Sequence, residues 1–232
     1  LPAGFQGKSI YFTDALTGYV GGNNAILKTI DGGINWTYTG YHPEIGNTYV
    51  FPIDSNVIYA CAYSSMNYTI NGGLLWKTRT INIPGGITKM YFFDAANGLL
   101  AGGNGIYSTS DSGATWNMIS GKILSDIAAF SPTHIMGYEN NIFVYSIDGG
   151  TTWTSAATQT TNFKIEILNA NLGFAMVGND LFRTTDGGDT WINMVTQGIL
   201  ISHWDMADQN TGIAEEPVNG KIYYTTDGGH TW

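Results

Sequence analysis

Apolar and polar positions alternate along this chain in short runs, and Gly, Asn or Asp closes nearly every run. Ile10-Tyr11-Phe12-Thr13-Asp14 and Met90-Tyr91-Phe92-Phe93-Asp94 are aromatic or aliphatic runs ending on an acid. A small, Gly-rich apolar run follows each, Gly18-Tyr19-Val20-Gly21-Gly22 and Gly98-Leu99-Leu100-Ala101-Gly102-Gly103. No segment sustains a 3.6-residue apolar period between helix caps, so the pattern predicts many short strands and almost no helix.

The pattern is periodic. Thr29-Ile30-Asp31-Gly32-Gly33-Ile34-Asn35-Trp36 recurs as the segments that hold Asn71 and Trp76, Asp111 and Trp116, Asp148 and Trp153, Asp186 and Trp191, and Asp227 and Trp232. The third residues lie 40, 40, 37, 38 and 41 positions apart. Each segment reads as a hairpin: the acid accepts backbone N–H groups two and three residues on, the Gly after it takes positive φ, and the Trp returns on the next strand to pack between sheets. An apolar residue stands five places before each acid or amide: Ile26, Met66, Ile106, Phe143, Leu181 and Ile222. Each copy of about 40 residues therefore carries four strands, A to D, with the hairpin at the C–D turn, which is the period and strand count of a propeller blade.

The expected fold is all-β: a single six-bladed β-propeller of four-stranded antiparallel blades over 1–232. The blades fall at about 5–40, 41–82, 83–122, 123–160, 161–197 and 198–232. The sixth copy stops at Trp232, and Leu1-Pro2-Ala3-Gly4 reads as the strand that completes it. Seven blades in a longer parent chain is the alternative. The opening residues hold no signal peptide and no initiator Met, as in a processed or excised segment.

These motifs resemble the bacterial-neuraminidase-repeat, or Asp-box, propellers. The pattern Ile-x-Phe-x-Asp, Gly-x-x-x-Gly, Thr-x-Asp-Gly-Gly-x-x-Trp is most similar to the photosystem II stability and assembly factor family. The resemblance spans the whole chain and implies a propeller; sialidases, xyloglucanases and sortilin-type receptors share the motif, so it implies no single activity. The photosynthetic assembly factors have seven blades and an arginine-rich patch used for partner contact. This chain has six boxes and two arginines, Arg79 and Arg183.

Composition narrows the function further. The net charge is −9, but box aspartates account for five of the 18 acidic residues, and no Lys/Arg cluster exists. Nucleic acid and an anionic membrane are unsuited as partners. No apolar run approaches the length of a membrane span. Cys61, the single cysteine, reads as a buried small residue.

Candidate chemistry is sparse. Asn71 stands where the other boxes have Asp, so the position needs an acceptor oxygen and not an anion. A sialidase needs three arginines about its substrate carboxylate and is excluded by count. Other glycosidases need two carboxylates about 5–10 Å apart. The candidates are Asp14, Asp54 and Asp94, which recur at the A–B turn, together with Asp126, Asp205 and Asp208. His42, His134, His203 and His230 are scattered without zinc spacing, so neither metal nor cofactor is expected. Asn35-Trp36-Thr37 and Asn67-Tyr68-Thr69 fit the glycosylation sequon but lie in or beside the boxes.

What remains is surface. The B–C loops include Tyr138-Glu139-Asn140-Asn141, Asn179-Asp180 and Glu215-Glu216-Pro217-Val218-Asn219, the last longer and more acidic than its siblings. Tyr138, Glu139, Asp180, Glu215 and Glu216, with Trp204, form the expected binding face. The reading is a non-catalytic interaction or scaffold propeller, secreted, periplasmic or on the cell surface, that binds a protein partner; a carbohydrate-binding module or part of a glycoside hydrolase is the alternative. It can be one module of a larger chain.

Overall fold

The computed structural model describes residues 4–23, 25–39, 49–62, 64–159, 163–178, 180–194, 199–201, 203–216 and 218–232. The fold is an all-β propeller of six antiparallel sheets, with no helix among the described residues. The chain divides into two compact units, Leu1–Ile123 and Leu124–Trp232, with three blades in each. In the first unit, strands A to D run Gly7–Phe12, Gly18–Gly22, Ala25–Thr29 and Thr37–Tyr38 in blade 1. Blade 2 has Tyr49–Pro52, Ile58–Ala62, Ser65–Thr69 and Lys77–Thr80, and blade 3 has Ile87–Phe92, Gly98–Gly102, Gly105–Thr109 and Asn117–Ser120. In the second unit, blade 4 has Asp126–Ala129, Ile135–Glu139, Ile142–Ser146 and Thr154–Gln159. Blade 5 has Phe163–Ile167, Gly173–Val177, Asp180–Thr184 and Ile192–Met194. Blade 6 shows three strands, His203–Met206, Gly212–Glu216 and Lys221–Thr225; the strand expected from residues 1–4 falls mostly outside the described residues.

Strand A stops at a side-chain-capped turn. Asp14 Oδ1 accepts the N–H groups of Leu16 and Thr17 at 2.8 and 2.7 Å. Asp54, Asp94, Asn169 and Asp208 repeat the arrangement, and Ser131 Oγ takes one such bond from His134 N. Strand B then begins on a small residue because a strand A ring lies over it: a Cβ at Gly98 would sit 2.7 Å from the Phe92 ring, its cross-strand partner. Crowding within the sheet, as much as between blades, selects the glycine.

The box hairpins use a different register from the one expected. Asp31 Oδ1 accepts from the Thr29 hydroxyl and from the N–H of Asn35, four residues on, both at 2.8 Å. The Thr29 hydroxyl in turn accepts from Gly33 N at 2.9 Å. The two-and-three-residue pattern belongs to the A–B turns instead. Between Asp31 and Asn35 the chain makes a full turn through Gly32 and Gly33, at φ 71° and 91°, and so brings the later N–H onto the carboxylate. The third box reaches the first of these conformations with Ser112, φ 62°.

Blades of one unit meet through apolar faces. Strands B and C of blade 1 (Tyr19, Ile26) pack with Val50, Ile58 and Trp76 of blade 2. Tyr59 and Met66 of blade 2 pack with Met90, Phe92 and Trp116 of blade 3, the Tyr59 and Phe92 rings stacked at 3.8 Å. In the second unit Phe174 and Leu181 of blade 5 meet Trp204, Met206 and Trp232 of blade 6. Polar latches close the same seams. Tyr19 OH donates to Ser55 O at 3.1 Å and Tyr59 OH to Ala95 O at 2.5 Å, each reaching the A–B turn of the next blade.

Candidate functional site

The box aspartates are bonded within their own hairpins. Their second oxygen also has a donor: Asn35 Nδ2, or the hydroxyls of Thr115, Thr152, Thr190 and Thr231, at 2.5–2.8 Å. These bonds, with the backbone N–H of the same residue, hold the Asp111, Asp148, Asp186 and Asp227 carboxyls down at about 2. Asn71 keeps the two Oδ1 bonds, from Thr69 and from Leu75 N. Its place four residues on holds Leu75, which has no side-chain donor for a second carboxylate oxygen. The charge and its partner are missing together, a pairing visible in the sequence but not drawn from it.

The carboxylates expected as hydrolytic candidates are also committed. Asp14, Asp54, Asp94 and Asp208 cap A–B turns, and backbone N–H groups hold the Asp14 and Asp208 carboxyls below their ordinary value. Asp126 is buried and accepts its neighbour Ile127 N at 2.9 Å. Asp205 is engaged by Lys164 at 2.8 Å.

The residues of the expected binding face differ in their exposure. Tyr138 is fully buried, with its hydroxyl donated to Met176 O, so it is core and not surface. Trp204 is 4% exposed within the blade 5–blade 6 seam and is likewise core. Alternation in a strand carries both side chains into the seams, which a loop reading of Tyr138 overlooks. Asp180 is exposed at the start of strand C, and Glu139 is half-buried. Glu215 lies 3.3 Å from His203 Nδ1. Glu216 accepts from Asn219 Nδ2 and Tyr223 OH, which folds the acidic loop back on its own blade; Pro217 lies outside the described residues.

The strand A edge supplies groups that sequence reasoning passed over. The residue three places before the A–B turn residue occupies the same strand A position in each blade. In the first unit it is Tyr11, Phe51 and Tyr91. Their ring centroids follow one another at 5.9 and 5.3 Å, and Phe93 continues the series 5.4 Å from Tyr91. Tyr11 and, two residues further back in the next blade, Tyr49 are about half exposed. Burial pushes the Tyr91 phenol up. The rings are tilted by 44° to 74°, so they form a notched apolar ladder and not a flat platform.

In the second unit the same position holds Ala128, Glu166 and Asp205. Lys164 Nζ donates to Glu166 at 3.2 Å, Asp205 at 2.8 Å and Trp204 O at 2.6 Å, and lies 4.6 Å from the Trp204 ring. Burial raises the Glu166 carboxyl, with Lys164 opposing. A raised acid near a second carboxylate has glycosidase character, but the ammonium fills the space between them. A shallow depression nearby is lined by Leu168, Asn169, Leu172 and the turn from Ala207 to Thr211. Two of its polar side chains, Asn169 and Asp208, are the turn caps already described. Among the described residues no group of His, Cys, Asp or Glu is placed to hold a metal.

The two arginines serve seams as well. Arg79 packs 4.3 Å from the Tyr68 ring and donates to Ser112 O of the next box; Arg183 lies by the Gly228 turn and 5.9 Å from Phe174.

No family model and no curated protein matches the chain. Solved structures do. YCF48 bound to D1 peptide superposes with a TM-score of 0.61 at 16% identity over 98% of this chain and 95% of that one. The GH74 enzyme of Niastella koreensis gives 0.70 at 15% identity over 98% of this chain, which spans 37% of the enzyme. The WD40 domain of Neurospora crassa Pan2 gives 0.68 at 13% over 96% and 76%. At such identities the likeness is one of fold.

Proposed function

We propose that this chain is a non-catalytic interaction module that binds an extended protein segment, outside the cytoplasm or on the cell surface. The observation that carries the reading is the notched aromatic ladder of Tyr11, Phe51, Tyr91 and Phe93 along the strand A edge of the first unit. Tilted rings leave gaps suited to the apolar side chains of a peptide, and Tyr gives contact area with little entropy to lose. The commitment of the carboxylates supports a binding role over a hydrolytic one. A propeller neighbour solved with a peptide bound is in keeping with it.

A display library of random peptides tests the proposal against a panel of β-glucans and xyloglucan. We expect enrichment of apolar and aromatic peptides whose binding falls when Tyr11 is replaced by Ser, at unchanged melting temperature. Release of reducing sugar from a glucan, lost in Glu166→Gln, would overturn it in favour of a glycosidase.

A further inference from the structure

The repeat makes every turn comparable with its siblings, and one end of blades 1 and 2 stands out. The A–B turn and the box hairpin meet at the same end of a blade: Gly32 N donates to Leu16 O and Gly72 N to Asn56 O, both at 2.9 Å. At that end blade 1 presents Leu16, Ile30 and Ile34, and blade 2 presents Ile70, Leu74 and Leu75, all 58–86% exposed. The matching positions elsewhere are small or polar with one exception. Where blade 1 has Leu16, the other blades have Asn56, Ala96, Thr133, Asn171 and Asn210. Where Ile34 and Leu74 stand, the later boxes have Ala114, Thr151, Asp189 and His230. Ile147 is the one large aliphatic at the tip of a later box.

This exposure is set locally. Blade 2 packs against a blade of its own unit on either side, and its hairpin tip is bare all the same. Thr185, Asp189 and Thr190 hold the same places in blade 5 and are exposed as well. The hairpin turns these positions to solvent, and aliphatic side chains this bare stand off the surface as knobs; they are seldom left so as a set.

The tip of blade 2 has also lost its charge. Its box is the one with Asn71 in place of Asp, and Leu75 replaces the residue that donates to the second carboxylate oxygen. A turn that stays in water gains nothing from that exchange, whereas a turn withdrawn from water avoids the cost of desolvating a carboxylate. The carboxylates that remain at this end of the two blades, Asp14, Asp31 and Asp54, each accept two N–H groups or more. Residues 1–123 hold six acidic and six basic side chains, and residues 124–232 hold twelve and three, so the whole net charge of −9 falls on the second unit.

We propose that the turn end of blades 1 and 2 is a docking surface for an electrically neutral lipid layer, with the Ile and Leu tips seated at the boundary of headgroups and acyl chains. Three features select lipid over another protein. Protein hot spots are rich in Trp, Tyr and Arg, and these six positions are all Ile or Leu. Knobs need matching pockets on a rigid partner, whereas a fluid layer closes around them. A charge-free tip on a neutral unit suits binding through apolar area and not through attraction to lipid phosphates.

Flotation with phosphatidylcholine vesicles tests it, comparing wild type with Leu74→Ser, Ile34→Ser and Ile147→Ser. All three side chains are exposed, and circular dichroism verifies each fold. We expect wild type to float with the vesicles at low and high salt alike. Leu74→Ser and Ile34→Ser should each weaken partitioning about tenfold, as the loss of one buried aliphatic side chain requires, and Ile147→Ser should leave it unchanged. Wild type that does not float, flotation that survives in both Leu74→Ser and Ile34→Ser, or an equal loss in Ile147→Ser would overturn the proposal. So would binding that needs phosphatidylserine and fails at high salt. Self-association lost in Leu74→Ser, with no flotation of wild type, would overturn it in favour of a second copy of the chain. Tyr11→Ser should float as wild type does, because the aromatic ladder is a different set of side chains; its failure to float would move the lipid contact to the ladder and overturn the assignment.

Discussion

Asn67 offers the sharpest test of the packing argument. It lies on strand C of blade 2, opposite Ala60 on one side and Thr78 on the other, and is 0% exposed. Both amide atoms are buried without a hydrogen-bond partner. The equivalent residue is Leu27 in blade 1, Tyr107 in blade 3 and Val144 in blade 4. A buried polar group without a partner costs about 1–3 kcal/mol. Two such atoms therefore set a ceiling of about 2–6 kcal/mol, and imperfect fit of a branched replacement takes back about 1–2 kcal/mol. Asn67→Leu, nearly equal in shape, should stabilise the chain by about 1–4 kcal/mol, which raises Tm by about 2–4 °C for each kcal/mol. Asn67→Asp should destabilise it above the carboxyl pKa, because a buried charge lacks any counter-ion. Calorimetry and urea titration read both changes. A Tm for Asn67→Leu at or below wild type would refute the reasoning, since it would mean the amide is bonded in solution and its loss removes more than it relieves.

Stability should be level from neutral pH to about 5 and decline as pH falls from about 4 toward 2. The folded Asp111, Asp148, Asp186 and Asp227 carboxyls are depressed to about 2 from an ordinary 3.8, so their contribution is present above the unfolded value and lost on protonation; thermal melts against pH check this. In a double-mutant cycle, Asn71→Asp with Leu75→Thr should couple favourably, because only the pair rebuilds the second carboxylate bond, and additive melting shifts would count against it. Cys61 is buried with its thiol pushed up to about 12, so a thiol reagent should label it at the rate of unfolding and not before. The Asn67 sequon should stay unmodified in folded protein offered to a glycosyltransferase, because the acceptor amide is out of reach.

Much of the fold was legible because it is local and repeated. Asp31 and its five counterparts mark hairpins through bonds spanning four residues, and six copies in register leave little else to form. The register of those bonds was misjudged because an acid followed by Gly-Gly reads equally as a short Asx turn; only the path through Gly32 and Gly33 decides. The site was less legible. Tyr11, Phe51 and Tyr91 come from three blades, and nothing in one repeat states that their rings meet. Tyr138 looked like a loop residue because it precedes Glu139-Asn140-Asn141, yet the turn is tight. Asn140 and Asn141, at φ 50° and 65°, leave Tyr138 inside strand B. Lys164 gave no signal in sequence, since its three acceptors are one residue on the same strand and two from the next blade.

The repeated seams also bear on how such a chain changes over generations. At the seams within each unit, strands B and C of one blade receive apolar side chains of the next, and the copies are spaced 37–41 residues apart. A misaligned recombination between two copies of the coding repeat would delete or insert a whole blade while creating a junction of the kind already present at the seams within each unit. The number of blades is therefore free to drift by gene duplication and loss without new chemistry at the joins. The side chains along the strand A edge, which differ from blade to blade, are where selection has separate letters to write with.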